Sequence, residues 1–315
     1  MAGGFEEVRD VHVRGSMSVG DLVRAYRDIH GFMAGHLAEA VEVLREGLGR
    51  SRLRVISFTA NLVATGLRGV LADLLDSGLF NVAITTAGAL DHDIARALGG
   101  RYLRGYFEAD DSKLYEEGYH RLGNVFIPLS DYGPPVEGFV RELVAEALRR
   151  GGARWPLYRL LDLAGEMLES RGASGSILAA AHRRGVRVFV PGWPDGAFGT
   201  ALFMEAQRGS RVEVDYYSDM AALADLFFPS EGEAAALIVG GGISKHHTIW
   251  WSQFRGGLDY VVYLTTAVEY DGSLSGAHPR EAISWGKVKP RARKVVVYGD
   301  ATLTLPIIAA ALLGG

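Results

Sequence analysis

Residues 271–287, DGSLSGAHPREAISWGK, open as a polar, Gly-rich loop and then place Glu281, Trp285 and Lys287 within seven positions. A carboxylate and an amine thus stand on either side of an indole. A lysine that loses hydration against a large ring also loses proton affinity, which leaves free amine for nucleophilic attack near neutral pH. A surface lysine whose stem packs along a tryptophan produces the same pattern. From the residue types, both readings stand.

A second concentration of reactive side chains is GGGISKHH, with Lys245, His246 and His247. On an extended segment adjacent histidines point to opposite sides, a poor chelating pair, and no HExxH or comparable spacing occurs, so no metal is expected. A core histidine or helix cap is the alternative to a functional role, and it suits His247 better. Asp91, Asp93, Asp195, Glu269, Asp271, Glu281 and Asp300 fall near the ends of β-like runs. Such an acidic excess favours a cationic ligand. Asp91 and Asp93 are equally explained as acidic residues at helix N-termini.

The elements that must hold these groups alternate. Ser18 and Asp21 form a capping-box pattern for a helix to about His30, and a second helix is expected over about 35–48. Both form an N-terminal helical arm over residues 1–50, ahead of a core over 51–315. LRVISF (53–58), NVAITT (81–86), NVFIP (124–128), VRVFV (186–190), RVEVD (211–215), AALIVGG (235–241), DYVVYL (259–264) and KVVVYG (294–299) read as strands. Leu67, Val70, Leu71, Leu74 and Leu75 have helical spacing, with Gly78 as the stop. Regular alternation implies one α/β domain, doubly wound, with a mostly parallel sheet covered by helices on both faces. The charged segment 101–121 reads as an insertion at the surface or between subunits, and the Gly151-Gly152 turn as a weaker seam.

Composition narrows the class. Of 315 residues, 48% are hydrophobic and 22% charged, enough apolar matter for a substantial core. A net charge of −4 without a basic stripe gives no support to nucleic-acid binding, and zero cysteines exclude disulfides and thiolate chemistry. The N-terminus has no apolar core of signal-peptide length, and the apolar C-terminal run is too short to span a membrane and is interrupted by Pro306. A cytoplasmic location is the expectation.

In open α/β sheets, ligands bind beyond the carboxyl ends of the strands. Small or hydroxyl residues recur there: Thr59 to Asn61, Thr85 to Gly88, Gly240 to Gly242, Thr265 to Ala267, and Gly299 to Ala301. These junctions suit a large polar ligand such as a dinucleotide, although no GxGxxG is present. Compact βα turns that need small residues fit them as well.

FTANLVATGLR, TTAG, HRLGN, PDGAFG, GGGISKHH, TTAVEYDGS, EAISWGK and YGDATLTLP, in this order from about Arg54 to the end, resemble the deoxyhypusine synthase family. The resemblance implies a Rossmann-like fold and an NAD-dependent transfer of the 4-aminobutyl group of spermidine, through an imine on the enzyme lysine, to a lysine of translation initiation factor 5A. It implies Lys287 as the covalent carrier, Glu281 as the ligand of an ammonium end, and His246 as a residue that lines the amine pocket. It places NAD at Ala60, Asn61, Leu62, Val63, Ala64, Thr86, Ala87, Gly88, Asp195, Thr266, Ala267, Asp300 and Ala301. It places the amine at Asp91, His92, Thr200, Gly241, His246, Gly272, Ser273, Leu274, Ser275, Glu281 and Trp285. Homotetramers with active sites at dimer interfaces are implied too. His92, Thr200 and Leu274 stand where the eukaryotic enzymes carry acidic residues, and DHDIAR is similar to archaeal members. A homospermidine-forming transferase of small amines and a non-catalytic NAD-binding paralogue are the competing readings.

Overall fold

The computed structural model describes residues 6–314; residues 1–5, part of the segment read as lacking a signal peptide, and residue 315 lie outside the description. Six strands form the central sheet: β1 (Ser51–Phe58), β2 (Val82–Ile84), β7 (Arg187–Phe189), β9 (Glu233–Val239), β10 (Leu258–Thr265) and β11 (Val288–Tyr298). Their order is β11-β10-β9-β1-β2-β7 and every pairing is parallel. Numbered one to six along the chain, the strands run 3-2-1-4-5-6 across the sheet, the order of doubly wound dinucleotide-binding folds. The direction of winding reverses between β1 and β9.

Strand side chains alternate between two cores because successive Cβ atoms point to opposite faces. Ile56, Phe58, Leu237, Val239, Val262 and Val297 enter the larger core, beneath helices that include Met33–Arg50, Arg68–Asp76, Ala87–Ala97 and Ala301–Leu313. Val55, Ile84, Ile238, Val261, Tyr263 and Val296 enter the smaller one, beneath Tyr216–Phe227, Gly242–Ser252 and Glu281–Ser284. Burial on both faces explains why these strands lack a polar alternation.

Both N-terminal helices form, but residues 1–50 are not simply an arm ahead of the core, because the second helix packs on the sheet. Ser18 and Asp21 make a reciprocal capping box on the Val19–Ile29 helix. The next helix, Met33–Arg50, is part of the larger core layer, with Leu37, Val41 and Leu44 buried. A Cβ on its Gly47 would lie 2.7 Å from the Tyr260 side chain, so glycine sets how closely this helix approaches the sheet. The C-terminal helix runs through Pro306 rather than breaking there. Proline removes one hydrogen bond, to the carbonyl of Thr302, and that residue is exposed, so water serves instead.

Two runs expected as strands of the main sheet lie elsewhere. NVFIP gives β5 (Val125–Pro128), which pairs antiparallel with β3 (Leu103–Arg104) and β4 (Tyr119–Leu122). The Gly123-Asn124 turn makes β4 and β5 a hairpin, so pairing is local. RVEVD gives only the short β8 (Glu213–Val214), paired with β6 (Arg154–Trp155). The charged 101–121 segment is thus structured, as β3, the Asp111–Glu116 helix and β4. No helix among the described residues is long and apolar enough to cross a membrane.

Candidate active site

Two places gather the sequence-singled residues, one on each face of the sheet. The first lies at the reversal point between β1 and β9. Gly240 takes φ 85°, and a Cβ there would meet Thr59 Oγ1 at 3.0 Å, which brings the two strand ends into contact. Thr59 Oγ1 donates to Asn61 Oδ1 at 2.6 Å and so orients the Asn61 amide. Gly88 and Ala60 face each other so closely that a Cβ on Gly88 would lie 3.0 Å from that of Ala60. Thr86 Oγ1 is buried without a hydrogen-bond partner among the described residues. Beside these residues opens a cavity of about 1110 Å³, lined by Asn61, Leu62, Ala64 and Asp300, with its outer wall from β3 to β5. Asp300 caps the C-terminal helix, accepting from both the N–H and the hydroxyl of Thr302.

The second place surrounds Lys287, which is 8% exposed. Its N–H donates to the Ala282 carbonyl and its own carbonyl accepts from Leu258 N–H, so the backbone is fixed at the start of β11. Gly286, at φ 68°, turns the chain between Trp285 and Lys287. Lys287 Nζ lies 5.1 Å from the ring centroid of Trp285 and 5.7 Å from that of Trp250, between two indoles. His246 stacks on Trp250 at 5.8 Å. Burial, and then the charge of Lys287, hold its imidazole below the ordinary value, which leaves a neutral base beside the amine. Glu281 is exposed at the start of its helix and makes no ion pair among the described residues.

Residues 275–277 are held against the start of the helix that carries His246. Ser275 Oγ accepts from Gly242 N–H, and a Cβ on Gly241 would lie 2.0 Å from that oxygen. Lys245, 1% exposed, donates from Nζ to the carbonyls of Ser275 and Ala277 at 3.2 and 2.8 Å and sits 4.3 Å from the centroid of the Tyr263 ring. Burial lowers its pKa to about 8.

KHH is helical, within Gly242–Ser252, and not extended as its sequence suggested. The two rings are therefore about 100° apart around a helix, and each meets the residue four positions on. His246 meets Trp250, while His247 Nε2 accepts from Trp251 Nε1 at 3.1 Å. His247 is thus a satisfied core histidine, held neutral by burial with a pKa of about 4. No cluster of metal-ligand type occurs among the described residues.

Asp91 and Asp93 serve helix N-termini, though not those of their own helix. Asp91 accepts from Ala197 and Phe198 N–H and from Tyr132 OH. Asp93 accepts from Ile177 and Leu178 N–H, Ser176 Oγ and Arg68. His92 is buried against Tyr102 OH at 2.7 Å, and burial drops its pKa to about 4. Thr200 lines a separate groove with Trp193 and Phe203. Thr266, directly after β10, Asp195, in the loop after β7, and Gly272 and Ser273, in the loop after β10, are exposed, while Leu274 packs against the smaller core.

A deoxyhypusine synthase family model matches residues 21–312. The chain belongs to the deoxyhypusine synthase family. Probable deoxyhypusine synthases of Aeropyrum pernix and Ignicoccus hospitalis are 72% and 54% identical, the first over 99% of both chains and the second over 98% of this chain and 96% of the relative. A crystal structure of a putative deoxyhypusine synthase from Entamoeba histolytica has a TM-score of 0.63 at 19% identity and covers 95% of this chain and 94% of that one, a likeness of fold. Membership makes this deoxyhypusine synthase homologue an enzyme of the transferase class.

Sequence reasoning about this synthase homologue named Lys245 without giving it a role and missed Trp250. Once KHHTIWW is placed on a helix, His246 and Trp250 share a face at four-residue spacing, which was the available signal. Tyr102 and Arg104 were passed over because their segment read as an insertion.

Proposed function

We propose that this chain is an NAD-dependent deoxyhypusine synthase acting in the cytoplasm, which moves the 4-aminobutyl group of spermidine to a lysine of translation initiation factor 5A. The observation that carries this reading is Lys287, enclosed by two indoles with the neutral His246 beside them.

The residues at the reversal point fit NAD. The strand order, the unpartnered hydroxyl of Thr86 and the close backbone approach at Gly240 and Gly88 all suit a dinucleotide. Ala60 to Ala64, Thr86 to Gly88, Asp195, Thr266, Ala267, Asp300 and Ala301 would hold it. Bound NAD would supply the hydride acceptor for the amine and the donor for the final reduction. Nζ of Lys287 attacks the carbon of the oxidised substrate's imine, propane-1,3-diamine leaves, and the butyl group stays on Nζ as a new imine. His246 takes the proton that Nζ loses on attack and returns it to the departing amine nitrogen, and Glu281 pairs with the free ammonium end. The indoles of Trp250 and Trp285 limit the access of water, which would hydrolyse the imine.

Within one chain the NAD cavity and the Lys287 pocket open on different faces of the sheet. A homotetramer with sites at dimer interfaces supplies what one chain lacks, because a second copy can bring its cavity to Lys287. Trp250, Trp285, Phe228 and Phe254, all exposed around that pocket, suit such a contact.

One observation favours transfer to a small amine, as in homospermidine formation: His92 is neutral and committed to Tyr102, so it cannot pair with an ammonium as a carboxylate does. Incubation with NAD and butyl-labelled spermidine, with and without factor 5A, separates the readings. Label on factor 5A that is lost in Lys287→Ala supports the synthase. Label on free amines alone moves the assignment to the small-amine transferase, and NAD binding without turnover of any polyamine marks a non-catalytic paralogue.

A further inference from the structure

We infer that Arg96 and Arg104 form an anion subsite for the diphosphate of the dinucleotide, and that the small β3-β5-β4 sheet is present to complete it. The inference rests on the NAD reading of the cavity and extends it to the segment that the sequence presented as a charged insertion.

Both arginines line the cavity at the reversal point, Arg96 from the Ala87–Ala97 helix and Arg104 from β3. Neither guanidinium makes an ion pair or a hydrogen bond among the described residues. Neighbouring arginines are paired: Arg68 with Asp93, Arg101 with Asp131 and Arg121 with Asp111. Arg96 is nevertheless held in place, its guanidinium carbon 5.3 Å from the centroid of the Tyr102 ring, while the Tyr102 hydroxyl is fixed on His92. A half-buried guanidinium without a carboxylate is costly to keep unless something anionic meets it. Burial, and then the neighbouring charge of Arg68, disfavour its cation, and Tyr102 and the Asp93 carboxylate, itself paired with Arg68, offset this only in part.

Among the described residues, Asp300 is the only carboxylate lining the cavity, and both its oxygens are engaged by Thr302. It makes no ion pair with either arginine. Two open forks of N–H donors facing one cavity match the planar, multidentate recognition of phosphate oxygens. The adjoining wall carries Asn61, Leu62 and Gly66, which leaves apolar and amide surface for the remainder of the ligand.

The test is titration calorimetry on the full chain with NAD, ADP and adenosine, for wild type, Arg96→Gln, Arg104→Gln and Arg96→Lys. Each Gln variant is expected to weaken NAD and ADP roughly tenfold or more while leaving adenosine unchanged, with partial recovery in Arg96→Lys. Added salt should weaken NAD in wild type more than in the variants. Arg104 is exposed, so Arg104→Gln reports binding even if Arg96→Gln alters the packing of Tyr102. Unchanged NAD and ADP affinity in both Gln variants, or equal losses for adenosine and ADP, would overturn the subsite. Wild type that takes ADP in an arginine-dependent manner but rejects NAD would support the subsite and overturn the NAD reading. Failure to take either ligand would overturn both.

Discussion

Lys245→Met removes a buried charge together with the clamp it places on residues 275–277. Burial lowers the Lys245 pKa from 10.5 to about 8. At neutral pH, holding the ammonium in the folded state therefore costs about 3 kcal/mol, at roughly 1.4 kcal/mol per unit. Against that, methionine leaves the carbonyls of Ser275 and Ala277 without their donor, at about 1–3 kcal/mol each. The two effects largely offset, so unfolding free energy at neutral pH should change by less than about 3 kcal/mol. Function should respond more, because the freed loop carries Leu274 and Ser275, and we expect at least a tenfold loss of amine turnover. The pH dependence is the distinguishing signature. Between about pH 8 and 10.5 the unfolded chain binds more protons at this lysine than the folded one, so wild-type stability gains about 3 kcal/mol from it as pH rises through that window. Denaturant melts of both proteins near pH 7 and pH 10 measure this. If wild type and Lys245→Met show the same pH dependence, the buried-charge argument is wrong; if turnover is unchanged, so is the clamp.

His92 and His247 stay neutral when folded, each with a pKa of about 4 against an ordinary 6.5, so each withdraws about 3 kcal/mol of stability as pH falls from 6.5 to 4. His247→Gln should flatten that acid limb in denaturant melts, and an identical limb would contradict the assignment. Asp93→Ala leaves Arg68 buried without its partner and two helix N–H groups uncapped; an unfolding free energy lower by about 3–5 kcal/mol is expected. Gly241→Ala puts a methyl 2.6 Å from the Ser275 Cα, so the amine-side loop must shift. Circular dichroism should be unchanged while turnover is lost, and retained turnover would show that this loop does not shape the site.

The sheet was legible because its strands are short β-branched runs without polar alternation, a pattern that parallel packing under helices imposes. Two errors had local causes. NVFIP has strand composition, but the Gly123-Asn124 turn ties it to β4, and that hairpin signal outweighs composition. GGGISKHH reads as extended because three glycines and a β-branched residue disfavour helix, yet buried Ser244, Thr248, Ile249 and Trp251 hold it helical through packing. The site was readable where chemistry depends on one short stretch, as at Trp285 and Lys287. It was not where a residue acts through the fold: Trp250 lies near Lys287 because its helix and the start of β11 pack into the same smaller core, and Arg96 and Arg104 line one cavity from a helix and from the inserted segment.

The central claim is that Lys287 carries the transferred group. Incubation with NAD and butyl-labelled spermidine, reduction with borohydride, and peptide mapping by mass spectrometry locate the trapped adduct directly. The account predicts one aminobutyl group on the peptide containing Lys287, absent from Lys287→Ala. An adduct on Lys245, or label transfer that persists in Lys287→Ala, would contradict it.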